Sequence, residues 1–343
     1  MAEHIKIESF ISLSARFPVI DVRAPSEFLH GHIPGAINIP LFDDQERKVV
    51  GTAYKQINKE AAMYAGLDFA GKKLVKLAKQ GERVAGKNKT LLVHCWRGGM
   101  RSKSMVWLFE TMGISCYLLE GGYKSYRSYV REVLAYPLNL LVIGGRTGSG
   151  KTAILHQLKN AGEQVIDLEG LAHHKGSAFG ALGEPDQPST EQFENDLSNE
   201  VSALDPEKIC WIEDESRNVG KCVIPGELYY RMKDADLVFL DISRELRALH
   251  LLGDYAKYEQ EDLKACVRKI EKRLGGDRTG EALEAIDRED YYQTAMITLH
   301  YYDKAYMYSL EKNHENYRIL SSAVVDPVKN AELLINYEKE RRL

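Results

Sequence analysis

An apolar run that leads through closely spaced glycines into a helical pattern is the feature that most limits how this chain can fold. Residues 140 to 160 read LLVIGGRTGSGKTAILHQLKN. The apolar run belongs in a sheet, and the amphipathic run after it must return across the sheet's face, which calls for a parallel α/β domain. Within the segment, Gly145 to Thr152 fit GxxxxGK[ST] in strand, loop and helix register. Backbone amides of Gly145, Arg146, Thr147, Gly148, Ser149 and Gly150 then cradle the inner phosphates of a ligand. Lys151 reaches an outer phosphate and Thr152 can ligate magnesium. The acid that partners such a loop stays open among Asp167, Glu213, Asp214 and Asp241, each at the carboxyl end of an expected strand, where it can equally cap a helix.

A second string has the same form. HCWRGGMRS, His94 to Ser102, follows the apolar TLLV and runs into the helical SKSMVWLFETMG, closed by Gly113. Loop amides and the helix N-terminus converge on the Cys95 sulfur, and Arg97 and Arg101 add positive charge. Such surroundings lower a thiol pKa from about 8.5 to between roughly 3.5 and 7.5, and the same amides form an anion cradle. Cys116, Cys210 and Cys266 instead suit buried core positions.

At 343 residues the chain is long enough for two domains. The first alternates apolar runs (PVIDV, TLLVHC, CYLLE) with helical patterns such as KKLVKLAK. A fresh strand begins after Pro137, which sets domains at 1–136 and 137–343. Strands of the second are expected at 138–143, 164–168, 208–213, 236–241 and 317–320, with helical patterns from Ser243 to Tyr308. Residues 1 to 136 carry a net +7 and residues 137 to 343 a net −11. Gly71 to Arg131 alone hold 13 Lys or Arg against three Glu, which points to an anionic partner, nucleic acid included. Five cysteines without a CxxC pair argue against a disulfide framework or zinc site. No apolar run approaches the ~18 residues of a membrane span, and MAEHIKIESF lacks the apolar stretch of a secretory signal. A cytoplasmic protein with no membrane partner is expected.

With the cysteine loop and VIDVRAPSEFLHGHIPGAINIP, Val19 to Pro40, the sequence resembles the rhodanese superfamily over most of residues 10 to 130. The Cys-x5-Arg spacing of Cys95 and Arg101 is one residue longer than is usual for sulfur-carrying rhodaneses and is that of cell-cycle and tyrosine phosphatases, so a phosphate-like oxyanion is expected. Asp21 and Arg23 are read as fixing the loop, and His94 as a structural strand-end residue rather than a general base.

A rhodanese domain followed by a P-loop domain resembles the architecture of the bacterial tRNA 2-selenouridine synthase family. ERKVVGTAYKQ, LEGGYKSYR, VIDLEGLAHHKGSAFG and IEDESRNVGK extend the resemblance over nearly the whole length. It implies a rhodanese-like parallel-sheet domain plus a P-loop NTPase-like α/β domain with added helices. It also implies a transferase that replaces sulfur by selenium in 2-thiouridine at the first anticodon position. Selenophosphate would be the donor, and an S-geranyl-2-thiouridine intermediate would be made from geranyl diphosphate. Cys95 would carry selenium as a selenosulfide; Arg101, Arg97, Gly98, Gly99, Met100 and Ser102 would hold the donor's phosphate end, and the loop Gly145 to Thr152 a diphosphate. No tightly bound cofactor is implied beyond magnesium near Thr152. The partners would be tRNA and a selenophosphate-supplying enzyme. Arg268, Lys269, Lys272, Arg273 and Arg278 are a second candidate RNA face, and tyrosines between Tyr291 and Tyr308 candidate base-stacking rings. The rivals are a phosphatase using Cys95 and a P-loop kinase with a rhodanese module that only binds a partner.

Overall fold

The computed structural model describes residues 2–314 and 317–341. Contacts divide the chain into a unit ending at Val133 and one starting at Leu134. That division falls inside the helix Tyr123–Ala135, a little before the boundary expected at Pro137.

The first unit is built on five strands, Glu3–Ile5 (β1), Val19–Asp21 (β2), Ile37–Asn38 (β3), Thr90–His94 (β4) and Ser115–Leu119 (β5). Their order is β1-β5-β4-β2-β3, and every neighbouring pair is parallel. β4 is central, and its apolar run is buried on both faces, as a covered parallel strand requires. Ile20, Leu91, Val93, Phe109 and Leu118 share one core, each contributing roughly 1.5–3 kcal/mol by leaving water. Three helices, Asp44–Gln56, Lys59–Gly71 and Leu74–Ala85, separate β3 from β4. The string ERKVVGTAYKQ lies in the first of them. Asp43 accepts from the Glu46 amide and Glu46 accepts from the Asp43 amide, a reciprocal cap of about 1 kcal/mol.

The second unit holds Asn139–Gly144 (β6), Gln164–Ile166 (β7), Ile209–Glu213 (β8), Asn218–Val219 (β9), Cys222–Val223 (β10), Asp236–Asp241 (β11) and Tyr317–Ser321 (β12). Five of these form a parallel sheet in the order β12-β11-β6-β8-β7, and β9 and β10 form a small antiparallel pair that the sequence pattern did not announce. β7 stops at Ile166 because Asp167 turns to cap the next helix, accepting from the Gly170 amide at 2.7 Å. Leu141, Ile143, Leu158, Trp211 and Val238 fill the core. A helical lobe, Gln260–Leu274, Gly276–Asp287 and Tyr291–Asn313, has its own core of Leu263, Val267, Ile286 and Leu299. The chain is therefore α/β, with two parallel sheets and added helices. Among the described residues, no helix is long and apolar enough to cross a membrane.

Candidate functional site

Cys95 is the residue after β4, so the middle strand of the first sheet delivers the thiol to the sheet's carboxyl edge. The Gly99 amide donates to Sγ at 3.3 Å and the Ser102 hydroxyl donates at 3.2 Å. Burial pushes this thiol's pKa up, but hydrogen bonds from Ser102 and the Arg97 amide, with the charge of Arg101, outweigh it and leave the pKa lowered. The four other cysteines are buried, and burial pushes Cys116 and Cys210 up to about 12 and Cys222 to about 11. Arg97 acts here through its backbone; its side chain is exposed.

LEGGYKSYR braces this loop. The Tyr123 and Lys124 amides donate to the Cys95 and Trp96 carbonyls at 2.8 and 3.0 Å. Gly122, at φ +62°, lies so close that a Cβ there would sit 2.4 Å from the Cys95 carbonyl oxygen, so only glycine fits. Arg23 is buried, bonded through Nε and Nη2 to Asp21 and through Nη2 to the Gly31 carbonyl at 2.6 Å, with its guanidinium 3.7 Å from the Tyr123 ring centroid. Those bonds give Asp21 and Arg23 a bracing role. His94 is fully buried between Phe10 and Tyr123, and burial lowers its pKa, which leaves it neutral.

Arg101 does not stand alone. Its Nη1 donates to Glu27 Oε2 at 2.6 Å, and Arg47 approaches the same carboxylate at 3.6 Å. Burial raises the Glu27 pKa, yet Arg101 and the Ala24 amide hold it below the ordinary glutamate value. Glu27 lies within the stretch EFLHGHIPGA, and nothing local in the sequence marks it as Arg101's partner.

The phosphate loop follows β6, the middle strand of its own sheet, and leads into the helix Lys151–Asn160. Lys151 Nζ donates to the Gly145 carbonyl at 3.0 Å, Thr152 Oγ1 donates to Glu169 Oε2 at 2.6 Å, and the Gly145 amide donates to the Tyr306 hydroxyl at 3.0 Å. The Arg146 side chain turns to Asp241, to which Nη1 donates at 2.6 Å, and its guanidinium lies over Phe239. The loop lines a cavity of about 420 Å³.

Both loops lie inside segments that match known families. Residues 8–129 match the rhodanese-like domain, and residues 138–330 match the tRNA 2-selenouridine synthase AAA domain. Three similar proteins, each described as tRNA 2-selenouridine synthase, come from Shewanella denitrificans (36% identical, 88% of this chain and 90% of the relative), Pseudomonas putida strain GB-1 (35%, 90% and 91%) and Nitrosomonas europaea (32%, 87% and 90%). The chain belongs to the tRNA 2-selenouridine synthase family.

In this family member the four acids considered for the phosphate loop take four different roles. Asp167 caps a helix and lies 2.9 Å from His156. Asp241 holds Arg146. Asp214 accepts from Lys233 at 2.6 Å and from the Tyr306 hydroxyl at 2.9 Å; burial raises its pKa, but His314 and Lys233 bring it down to about 2. Glu213 is fully buried; Oε1 accepts from the Glu169 amide at 2.8 Å and Oε2 has no partner. Burial and the neighbouring carboxylates raise its pKa well above the ordinary value.

The acid that meets Thr152 is Glu169, which the sequence reading missed although it lies two residues after Asp167. Glu215 joins it: Gly176, at φ +64°, would place a Cβ 2.7 Å from Glu169 Oε1 and 2.9 Å from Glu215 Oε2, so both carboxyl groups converge on one glycine. Burial and the charge of Glu169 push Glu215 up to about 8, so it is mostly protonated at neutral pH. Among the described residues, no group of three or more His, Cys, Asp or Glu has metal-holding geometry. Thr152 with Glu169 still offers the few hard oxygen donors that magnesium takes alongside phosphates.

The expected basic run divides. Arg268, Lys269, Lys272 and Arg273 are exposed on the helix Gln260–Leu274, whereas Arg278 belongs to the next helix. Of the tyrosines, Tyr302 accepts from the Ala178 amide and Tyr306 binds the phosphate loop, so structural roles account for both; Tyr308 is 70% exposed.

Proposed function

We propose that this chain replaces sulfur by selenium in 2-thiouridine at the first anticodon position of tRNA, with selenophosphate as donor and an S-geranyl intermediate made from geranyl diphosphate. The observation that carries the two-step reading is the makeup of the phosphate-loop cavity. Gly148, Gly150 and Lys151 line it together with Phe179, Leu251, Tyr255 and Tyr258. A diphosphate joined to a short apolar chain matches both kinds of wall, since the loop amides take oxygens and the rings take hydrocarbon. Thr152 and Glu169 would hold the magnesium, which neutralises diphosphate charge when bound.

Alkylation makes chemical sense as the first step. Thiocarbonyl sulfur is a poor leaving group, whereas alkylated sulfur departs as a thiol, so carbon 2 becomes open to attack by selenium. Cys95, with its lowered pKa, is placed to attack the phosphorus of selenophosphate: the S–P bond forms as the P–Se bond breaks, selenide leaves to displace the geranyl thiol at carbon 2, and water releases phosphate from the cysteine. Arg101 with the amides from Gly98 to Ser102 receives the phosphate end. The test is to supply 2-thiouridine tRNA, geranyl diphosphate and selenophosphate without ATP or GTP and to analyse the nucleosides by mass spectrometry. Both products are expected. A strict need for nucleotide hydrolysis in the alkylation step returns the second unit to the kinase or ATPase class.

A further inference from the structure

On the second unit, a groove of about 660 Å³ separate from the phosphate-loop cavity runs past Arg146, Arg244, Arg247, His300, Lys304 and Tyr308. Its charges do not cancel. Arg247 and Asp303 are locked together in the wall, with Nη1 to Oδ1 at 2.8 Å and Nη2 to Oδ2 at 3.0 Å, and Arg247 also donates to the Thr147 carbonyl of the phosphate loop at 2.9 Å. Arg244 Nε shares the same carboxylate at 2.8 Å, so two guanidinium groups face one negative charge. Arg146 is held by Asp241. The remaining cations gather around His300: partial desolvation and the charges of Arg278, Arg244 and Lys304 lower its pKa against the pull of Asp303. Glu311 is the one other carboxylate lining the groove.

One helix face lays a cation between a histidine and an aromatic ring. His300, Lys304 and Tyr308 recur at four-residue intervals on the helix Tyr291–Asn313, so they share one face and span roughly 12 Å at 1.5 Å per residue. Lys304 and Arg278 are exposed, and Tyr308, one turn on from Lys304, is 70% exposed. Arg244 and Lys304, with an exposed aromatic ring in the same groove, are the combination that holds a nucleic-acid backbone and stacks an unpaired base.

We propose that this groove is a tRNA-docking surface, with Arg244, Lys304 and Arg278 on backbone phosphates and Tyr308 against a base. The proposal rests on tRNA being the substrate. It also redistributes the basic run expected from the sequence: Arg278 does not line the groove but lies near enough for its charge to act on His300, while Arg268 and Lys272 stay on a solvated helix face.

The experiment measures the affinity of the full chain for 2-thiouridine tRNA across a range of potassium chloride concentrations. The double variant Arg278→Glu with Lys304→Glu is compared with Arg268→Glu with Lys272→Glu, which makes the same change of net charge. The groove variant is expected to bind about tenfold or more weakly, with the slope of log affinity against log salt reduced by roughly 1 to 2, while the control stays within about threefold of wild type. Tyr308→Ala is expected to weaken binding at least fivefold with the salt slope unchanged, since stacking releases no counterions. Groove and control variants that bind alike, or a groove variant with wild-type affinity and slope, would overturn the proposal. A wild-type chain that binds tRNA no better than a DNA duplex of the same length would instead overturn the tRNA reading itself.

Discussion

The two glycine loops share a design and differ in what surrounds them. Each follows the middle strand of a five-stranded parallel sheet and opens a helix. Around Cys95, donors and the Arg101 charge lower a thiol's pKa against its own burial. Behind the phosphate loop the same burial meets carboxyl groups packed against one another, and Glu169, Glu213 and Glu215 are all raised. The loop sets where an anion can lie; the neighbours decide which groups carry charge. One centre favours the charged form of its own sulfur, and at the other the carboxyl groups are biased toward their neutral forms, a balance that a bound cation would shift.

Exchanging the two losses breaks the comparison most directly. Cys95→Ala should cut selenated tRNA by more than ~10³-fold while alkylated tRNA accumulates. Lys151→Ala should block alkylation and leave pre-alkylated tRNA convertible. Nucleoside mass spectrometry on folded protein reads both, and loss of both products in either variant would mean the loops act as one centre.

Arg101→Lys keeps the charge and loses the planar fork, so selenium transfer should fall about 10²-fold. Steady-state rates against selenophosphate concentration check this. Unchanged dependence on the donor would assign its binding to the loop amides alone.

Glu27→Gln separates positioning from charge. Releasing Arg101 strengthens its pull on the sulfur, so the pH profile of Cys95 alkylation should move to lower pH. Selenium transfer should nevertheless drop roughly tenfold for want of a charge-assisted hydrogen bond. A profile moving upward would place Arg101 too far from the thiol to act on it. In wild type, iodoacetamide at neutral pH should label Cys95 and leave Cys116, Cys210, Cys222 and Cys266 unmodified.

The smallest effect concerns Glu215. Its folded pKa, about 8, lies above the ordinary value of 4.5, so its protonated form favours folding. That contribution is complete below the unfolded value and disappears as pH rises through about 8. Glu215→Gln should therefore lose less stability than wild type between pH 6 and pH 9 in urea unfolding. Parallel declines would show that Glu215 ionises freely in the folded protein.

The loops and the strands before them were legible because each is a local pattern: an apolar run, glycines, then a helical period. The fold class followed from their repetition along the chain. The residues that complete the sites carry no such mark. Tyr306 meets the Gly145 amide across 161 residues of chain, and Glu27 meets Arg101 across 74. Nor could sequence choose among Asp167, Glu213, Asp214 and Asp241, since all four end strands or cap helices; in the structure Asp241 meets Arg146 and a fifth acid, Glu169, meets Thr152. The sequence by itself determined two glycine loops, one bearing a cysteine, each following a strand of its own parallel-sheet α/β unit. Tertiary structure decided which acids stand near them and which are charged, because desolvation and Coulomb energy depend on distance in space and not on separation along the chain.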